Sequence, residues 1–111
     1  MQNRQSLPLS AAVFYVLFAL ADGEKHGYAI MQGTRELSDD SFRMGPATLY
    51  TTIQRLLDSE LLEETPGESG ADSRRRYYRL TKAGRALLNQ ELARMESVVR
   101  KAKTMRLAVS R

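Results

Sequence analysis

The chain has 111 residues, of which 42% are hydrophobic and 27% charged, the make-up of one small folded domain and not of a disordered segment. It contains no cysteine, which excludes disulfide scaffolds, thiolate metal sites and cysteine nucleophiles and makes a reducing cytoplasm the expected location. The net charge of +4 is unevenly spread: residues 1–73 carry five basic and eleven acidic side chains, a net of −6, while residues 74–111 carry twelve basic and two acidic, a net of +10.

A basic half beside an acidic half fits a polyanionic partner, either nucleic acid or an anionic membrane surface, and equally a solvated helix face rich in Lys and Arg. Near the N-terminus, Pro8 suits the first turn of a helix that continues to Leu20. Its longest uncharged apolar run, residues 11–21, is much shorter than the about 20 residues that span a bilayer. The charged N-region and cleavage site of a secretory signal are not expected here either. Leu9, Val13, Val16, Leu17 and Leu20 form one apolar stripe, and Ala11, Phe14, Tyr15 and Phe18 a second. A helix apolar on two faces must be covered twice, and in so short a chain a second copy of the protein is the expected second cover. Asp22-Gly23 predicts a glycine C-cap.

His26-Gly27-Tyr28 opens a second helix that reaches about Leu37, and residues 38–41 make a turn. A third helix starts with Gly45 as N-cap and Pro46 as its first residue. Leu49, Ile53, Leu56, Leu57 and Glu60 share its inner face. The opposite face carries Ala47, Thr48, Thr51, Arg55 and Asp58, with Tyr50 and Gln54 on a flank. Small polar side chains with a lone arginine make an unusual exposed face.

Residues 61–65 predict a strand, residues 66–73 a flexible loop, and residues 74–80 a returning strand whose start is Arg74-Arg75-Arg76. Arg79 is placed to pair across this hairpin with Glu63 or Glu64. Thr81 caps a long last helix in which Leu88, Leu92, Met95, Val99 and Ala102 are spaced four, three, four, three, a heptad seam suited to packing on another helix of the same chain or a partner chain. The expected fold is mainly α with a small β-hairpin wing. Residues 1–80 form a winged helix-turn-helix DNA-binding unit, and residues 81–111 a C-terminal dimerisation helix.

The physics of duplex DNA matches this order of elements. The major groove admits one α-helix, and a helix with a small outer face can approach base edges closely. Ala47, Thr48, Tyr50, Thr51, Gln54 and Arg55 are the candidate contacts of the third helix, with Gln54 suited to adenine and Arg55 to guanine or phosphate. Arg74, Arg75 and Arg76 of the wing are candidates for neutralising backbone charge. Phe14, Tyr15, Phe18, Leu88, Leu92, Met95, Val99 and Ala102 are the candidate dimerisation residues. The aromatic members, with Met95, Val98 and Val99, either form that interface outright or line a pocket in it for a small hydrophobic effector. His26 is the one histidine and has no cysteine to join it, so it is expected to be a locally bonded helix-start residue. No catalytic residue, metal site or cofactor is expected: no nucleophile–base combination and no phosphate-cradling glycine loop is present. A ligand-sensing or protein-interaction dimer that does not read DNA is the alternative from another class.

Several stretches together carry a family resemblance. They are residues 9–20 followed by His26-Gly27-Tyr28-Ala29-Ile30; Gly45-Pro46-Ala47-Thr48-Leu49-Tyr50 with Arg55-Leu56 and Leu61-Leu62; and Arg74-Arg75-Arg76-Tyr77-Tyr78-Arg79-Leu80-Thr81 with Gly84. In this order and spacing, over about residues 7–88, the chain resembles the short form of the PadR-like transcriptional regulators. The resemblance implies a winged-helix dimer that binds operator DNA, usually as a repressor, with the last helix dimerising. It also implies that Tyr50 and the polar residues of its helix meet DNA while the wing contacts the backbone. Thr51 stands where a proline often follows that tyrosine. The tryptophan that stacks flat drugs in some multidrug-sensing members is absent, so the resemblance does not extend to a drug-sensing role.

Overall fold

A computed structural model of the chain describes residues 6–67 and 75–107. The elements run α1 (Ala11–Ala19), β1 (Lys25–His26), α2 (Gly27–Leu37), α3 (Pro46–Asp58), β2 (Leu62–Thr65), β3 (Tyr77–Leu80) and α4 (Lys82–Thr104). Every expected helix and both strands of the hairpin are present. Arg74 and the tip of the expected loop, residues 68–73, lie outside the described residues.

α1 starts later and ends earlier than the apolar pattern implies. Ser10, not the turn at Pro8, caps it, its hydroxyl accepting from the Val13 N–H at 3.3 Å. The helix stops at Ala19, with Leu20 as C-cap. Gly23 is not the capping residue, although its N–H still donates to the Leu20 carbonyl at 3.3 Å. The apolar run continues past the helix because Leu20 and Ala21 pack on the core from a turn. Val13, Val16 and Leu17 are all but inaccessible, and α1 packs against α2, α3 and α4. Much of the double cover that its two stripes require therefore comes from its own chain. Phe14 and Leu88, expected at a dimer interface, are instead buried in the protomer's core. Tyr15 is half-buried and stacks on Phe42 from the α2–α3 connection, ring centres 5.4 Å apart.

The sheet has three strands where two were expected, in the antiparallel order β1-β3-β2. β2 and β3 pair with Leu62 opposite Leu80, Glu63 opposite Arg79, Glu64 opposite Tyr78 and Thr65 opposite Tyr77. The added strand is only Lys25–His26, which places Lys25 opposite Tyr78 and His26 opposite Tyr77. The turn between α2 and α3 puts Asp39 and Asp40 in the left-handed region, at φ 52° and 65°. The Asp40 carboxylate accepts from Arg43 at 2.7 Å and from Arg35 at 3.1 Å. These bonds, Arg43's first, hold the Asp40 carboxyl below the ordinary carboxylate range.

α4 is about 35 Å long and has two different halves. Leu88 is buried, and Leu92 and Met95 pack half-buried on the core. Beyond them Val98 is 53% exposed, Val99, Met105 and Leu107 are also exposed, and Ala102 is half-buried. Gly84 and Glu91 supply two of the contacts that hold the helix to the rest. Gly84 lies so close to the Leu61 backbone that a methyl group there would overlap the Leu61 carbonyl. Glu91, 1% exposed, accepts from the Leu9 N–H at 3.0 Å and from Arg94 at 2.6 and 3.1 Å. The Arg94 hydrogen bonds hold the Glu91 carboxyl below its ordinary value of 4.5, against the opposing effect of burial.

Two outcomes follow. Gly84→Ala must separate α4 from Leu61, because the obstacle is backbone; thermal denaturation should show a loss of about 1 to 3 kcal/mol or more, the scale of core overpacking. For Glu91 the folded carboxyl titrates below the unfolded one, so its stabilisation is complete above about pH 4.5 and is lost as the pH falls through the folded value. Melting of the protein and of Glu91→Gln between pH 7 and 3 should therefore converge in acid, with the variant lower at pH 7. Parallel curves would show that Glu91 contributes nothing by its charge.

Candidate nucleic-acid interface

α3 turns Leu49, Ile53 and Leu56 wholly into the core, with Thr52 buried beside them. Its other side is thereby left to solvent. Ala47, Thr48, Thr51, Gln54 and Arg55 are exposed there, and Tyr50 is 51% exposed. At its start, Gly45 supplies no side-chain cap and Pro46 occupies the first turn. The leading backbone N–H groups thus point outward from the positive end of the helix dipole, an arrangement suited to an anion.

Tyr50 joins this helix to α2. Its hydroxyl end lies over Gly27, where even a methyl group would collide with it. One shallow groove along α3 is lined by Tyr50, Thr51, Gln54, Arg55 and Asp58. A second concavity of about 350 Å³ is lined by His26, Gly27, Tyr28, Tyr50, Arg75, Arg76 and Tyr78. Tyr50 belongs to both, so the face of α3 and the base of the wing form one continuous surface.

His26 ties that surface together. Its Nδ1 accepts from the Ala29 N–H at 3.3 Å, which caps α2. Its Nε2 lies 2.8 Å from the Arg75 guanidinium, and its ring meets the Tyr77 ring edge-on at 5.5 Å. The expectation of a locally bonded helix-start histidine agrees with this geometry. Burial first, then the Arg75 charge, lowers the imidazole pKa below 6.5, which keeps Nδ1 available as the capping acceptor at neutral pH.

The hairpin's charges are partly paired. Arg79 donates to Glu63 directly opposite at 2.6 Å, and Arg76 lies 3.7 Å from Glu64. Arg55 is in no ion pair among the described residues. The surface offers hydroxyls, an amide and guanidinium groups, with one carboxylate, Asp58, at its edge. That chemistry suits a chain of phosphates with base edges between them.

The structure thus brings together Ala47, Thr48, Tyr50, Thr51, Gln54, Arg55, Arg75 and Arg76. It adds His26, Gly27, Tyr28 and Tyr78, which the sequence reading left out of the site. The small residue between His26 and Tyr28 was a signal for close approach; nothing local pointed to Tyr78, which arrives through the sheet register.

Gly27→Ala should displace Tyr50, because the blocking atoms are the free end of a side chain that can swing away. Stability should fall by about 1 kcal/mol or less. The nuclear Overhauser contact between the Tyr50 ring and the residue 27 backbone, present in the unaltered protein, should vanish. Its persistence in a folded variant would show that Tyr50 is not held there.

Comparison with known proteins places this surface in context. Residues 16–90 match the model of the transcriptional regulator PadR-like family. Transcriptional regulator Rv3488 of Mycobacterium tuberculosis is 38% identical over 92 residues, covering 82% of this chain and 81% of its own. The structure of Bordetella bronchiseptica BpsR, described with its regulation of DNA binding by 6-hydroxynicotinic acid, is 28% identical, with a TM-score of 0.66 over 89% of this chain and 68% of that one. Bacillus subtilis PadR in complex with operator DNA shares the fold, with 22% identity and a TM-score of 0.65 over 77% of this chain and 47% of that one. The match to the family model over most of the chain, carried on a mainly helical fold with a winged hairpin, shows that this protein belongs to the PadR-like family of transcriptional regulators, which are not enzymes.

Proposed function

We propose that the protein is a homodimeric, cytoplasmic repressor that binds a roughly palindromic operator. α3 enters the major groove through Ala47, Thr48, Thr51, Gln54 and Arg55. Tyr50 and the arginines at the base of the wing, Arg75 and Arg76, meet the phosphate backbone, and Arg74, next in sequence, is proposed to join them. The observation that carries this reading is the single surface on which the outer face of α3 adjoins Arg75 and Arg76 through Tyr50. The operator complex of Bacillus subtilis PadR supports it at the level of the fold.

The dimer places its seam along α4, with α1 beside it. On α4 Val98 and Val99 are exposed in the single chain, and Leu92, Met95 and Ala102 continue the stripe half-buried; Met105 and Leu107, also exposed, follow the helix end at Thr104. Tyr15 and Phe18 extend it from α1, also half-buried. Exposed apolar side chains in helical register are the usual mark of a partner surface. With a two-fold between the copies, the two reading helices lie in successive major grooves about 34 Å apart.

In a mobility-shift titration on the DNA upstream of its own gene, affinity should drop about a thousandfold or more between 50 and 200 mM salt, as for six or more neutralised phosphates. Replacing Arg75 and Arg76 with Ala should reduce the slope of log K against log salt by about 2. Equal, salt-insensitive binding to every duplex would overturn the proposal. For the dimer, Val98→Asp with Val99→Asp should yield a folded monomer by sedimentation equilibrium. A variant that still sediments as a dimer would move the seam elsewhere.

A further inference from the structure

Asp58 is an acid on a face that otherwise presents hydroxyl, amide and guanidinium groups. A carboxylate beside a polyanion opposes binding, so its place there calls for a physical reason. Its one hydrogen bond among the described residues supplies that reason: the Gln54 amide nitrogen Nε2 donates to Asp58 Oδ1 at 3.0 Å, one turn along the helix. Arg55, its near neighbour, does not pair with it.

We propose that Asp58 is a specificity-determining residue that fixes the way Gln54 faces a base, an inference that rests on reading α3 as the major-groove helix. An ionised carboxylate can only accept hydrogen bonds. Gln54 must therefore turn its NH2 group toward Asp58, and its carbonyl oxygen Oε1 faces the other way. An unrestrained glutamine pairs with adenine in two places, accepting from N6 and donating to N7. The held glutamine has committed one N–H to Asp58 and keeps the other beside Oε1, so the order in which it presents acceptor and donor to the base is fixed. Adenine N6 and cytosine N4 are the donors that the major groove offers. Guanine with O6 and N7, and thymine with O4, present acceptors at the corresponding edge, and these face Oε1 as lone pair against lone pair. Asp58 also lies about 6 Å further along the helix axis, where its charge repels a phosphate. The C-terminal end of α3 is thereby kept away from the backbone, and Gln54 becomes the last base-facing residue of the helix.

The test is selection of bound duplexes from a randomised library by the 111-residue chain, by Asp58→Ala and by Gln54→Ala, each first checked for native helicity by circular dichroism. Asp58 and Gln54 are both exposed, so both variants keep the core. The unaltered protein should enrich adenine or cytosine at one position per half-site by about tenfold over guanine and thymine, the scale of one good base-edge contact. Asp58→Ala should admit guanine and thymine at that position, because the freed amide can rotate to donate, and should bind all duplexes more tightly through loss of a negative charge. Gln54→Ala should erase the preference at the same position and no other. An unchanged preference in Asp58→Ala, or a different position altered by Gln54→Ala, overturns this inference alone. Absence of any enriched sequence for the unaltered protein overturns the reading of α3 as a major-groove helix, and this inference with it.

Discussion

In α1 the only polar side-chain atom is the Tyr15 hydroxyl, and the helix packs against α2, α3 and α4. Burying a Val, Leu or Phe side chain contributes roughly 1.5 to 3 kcal/mol, and α1 buries Val13, Phe14, Val16 and Leu17 within nine residues. The other three helices need only one apolar stripe each, because α1 supplies the surface they share. α3 in particular can keep Leu49, Ile53 and Leu56 inward and leave its opposite face small and polar. A third helix required to cover the core on two sides could not have presented Ala47, Thr48 and Thr51 to solvent.

The same economy governs charge. The acidic N-terminal half and the basic C-terminal half do not remain separate fields in the folded chain. Glu63 and Glu64 of β2 lie opposite or beside Arg79 and Arg76 of the wing, while Asp40 gathers Arg35 and Arg43 at the α2–α3 turn. Exposed pairs of this kind stabilise little, but they decide where positive charge is left over. Arg55 stays out of such pairs on α3 among the described residues. At the wing base, Arg75 sits against a histidine whose own protonation is disfavoured by burial and by that arginine. The net result is a positively biased surface at Tyr50, where the two concavities meet, with Asp58 as the one carboxylate among their described lining residues.

α4 ties the N-terminal segment to the proposed dimer seam. Glu91 binds the Leu9 N–H across 82 positions of sequence, and Gly84 lets the helix start directly on the Leu61 backbone. The Thr81 hydroxyl donates to the Glu60 carbonyl while accepting from the Gly84 N–H. The start of α4 and the α3–β2 connection thus meet at one corner. Any partner that grips the exposed half of α4 also sets the position of α3.

Local pattern alone determined much of this. The stripe Leu49–Ile53–Leu56, Gly45-Pro46 at a helix start, Thr81 before a heptad run and a cross-hairpin partner for Arg79 in Glu63 or Glu64 were all legible, because each depends on residues close in sequence; the strand register then chose Glu63. The polar face of α3 was legible for the same reason: a helix repeats every 3.6 residues, so naming its core face names its outer one. Tertiary structure alone decided the two-residue strand at Lys25–His26, the seat of Tyr50 on Gly27, the buried Glu91–Leu9 contact and the inward packing of Phe14 and Leu88. Each of these joins segments far apart in the chain, or chooses between two apolar faces that look alike in sequence. Periodicity shows that a side chain must be covered; only the packed fold specifies by what.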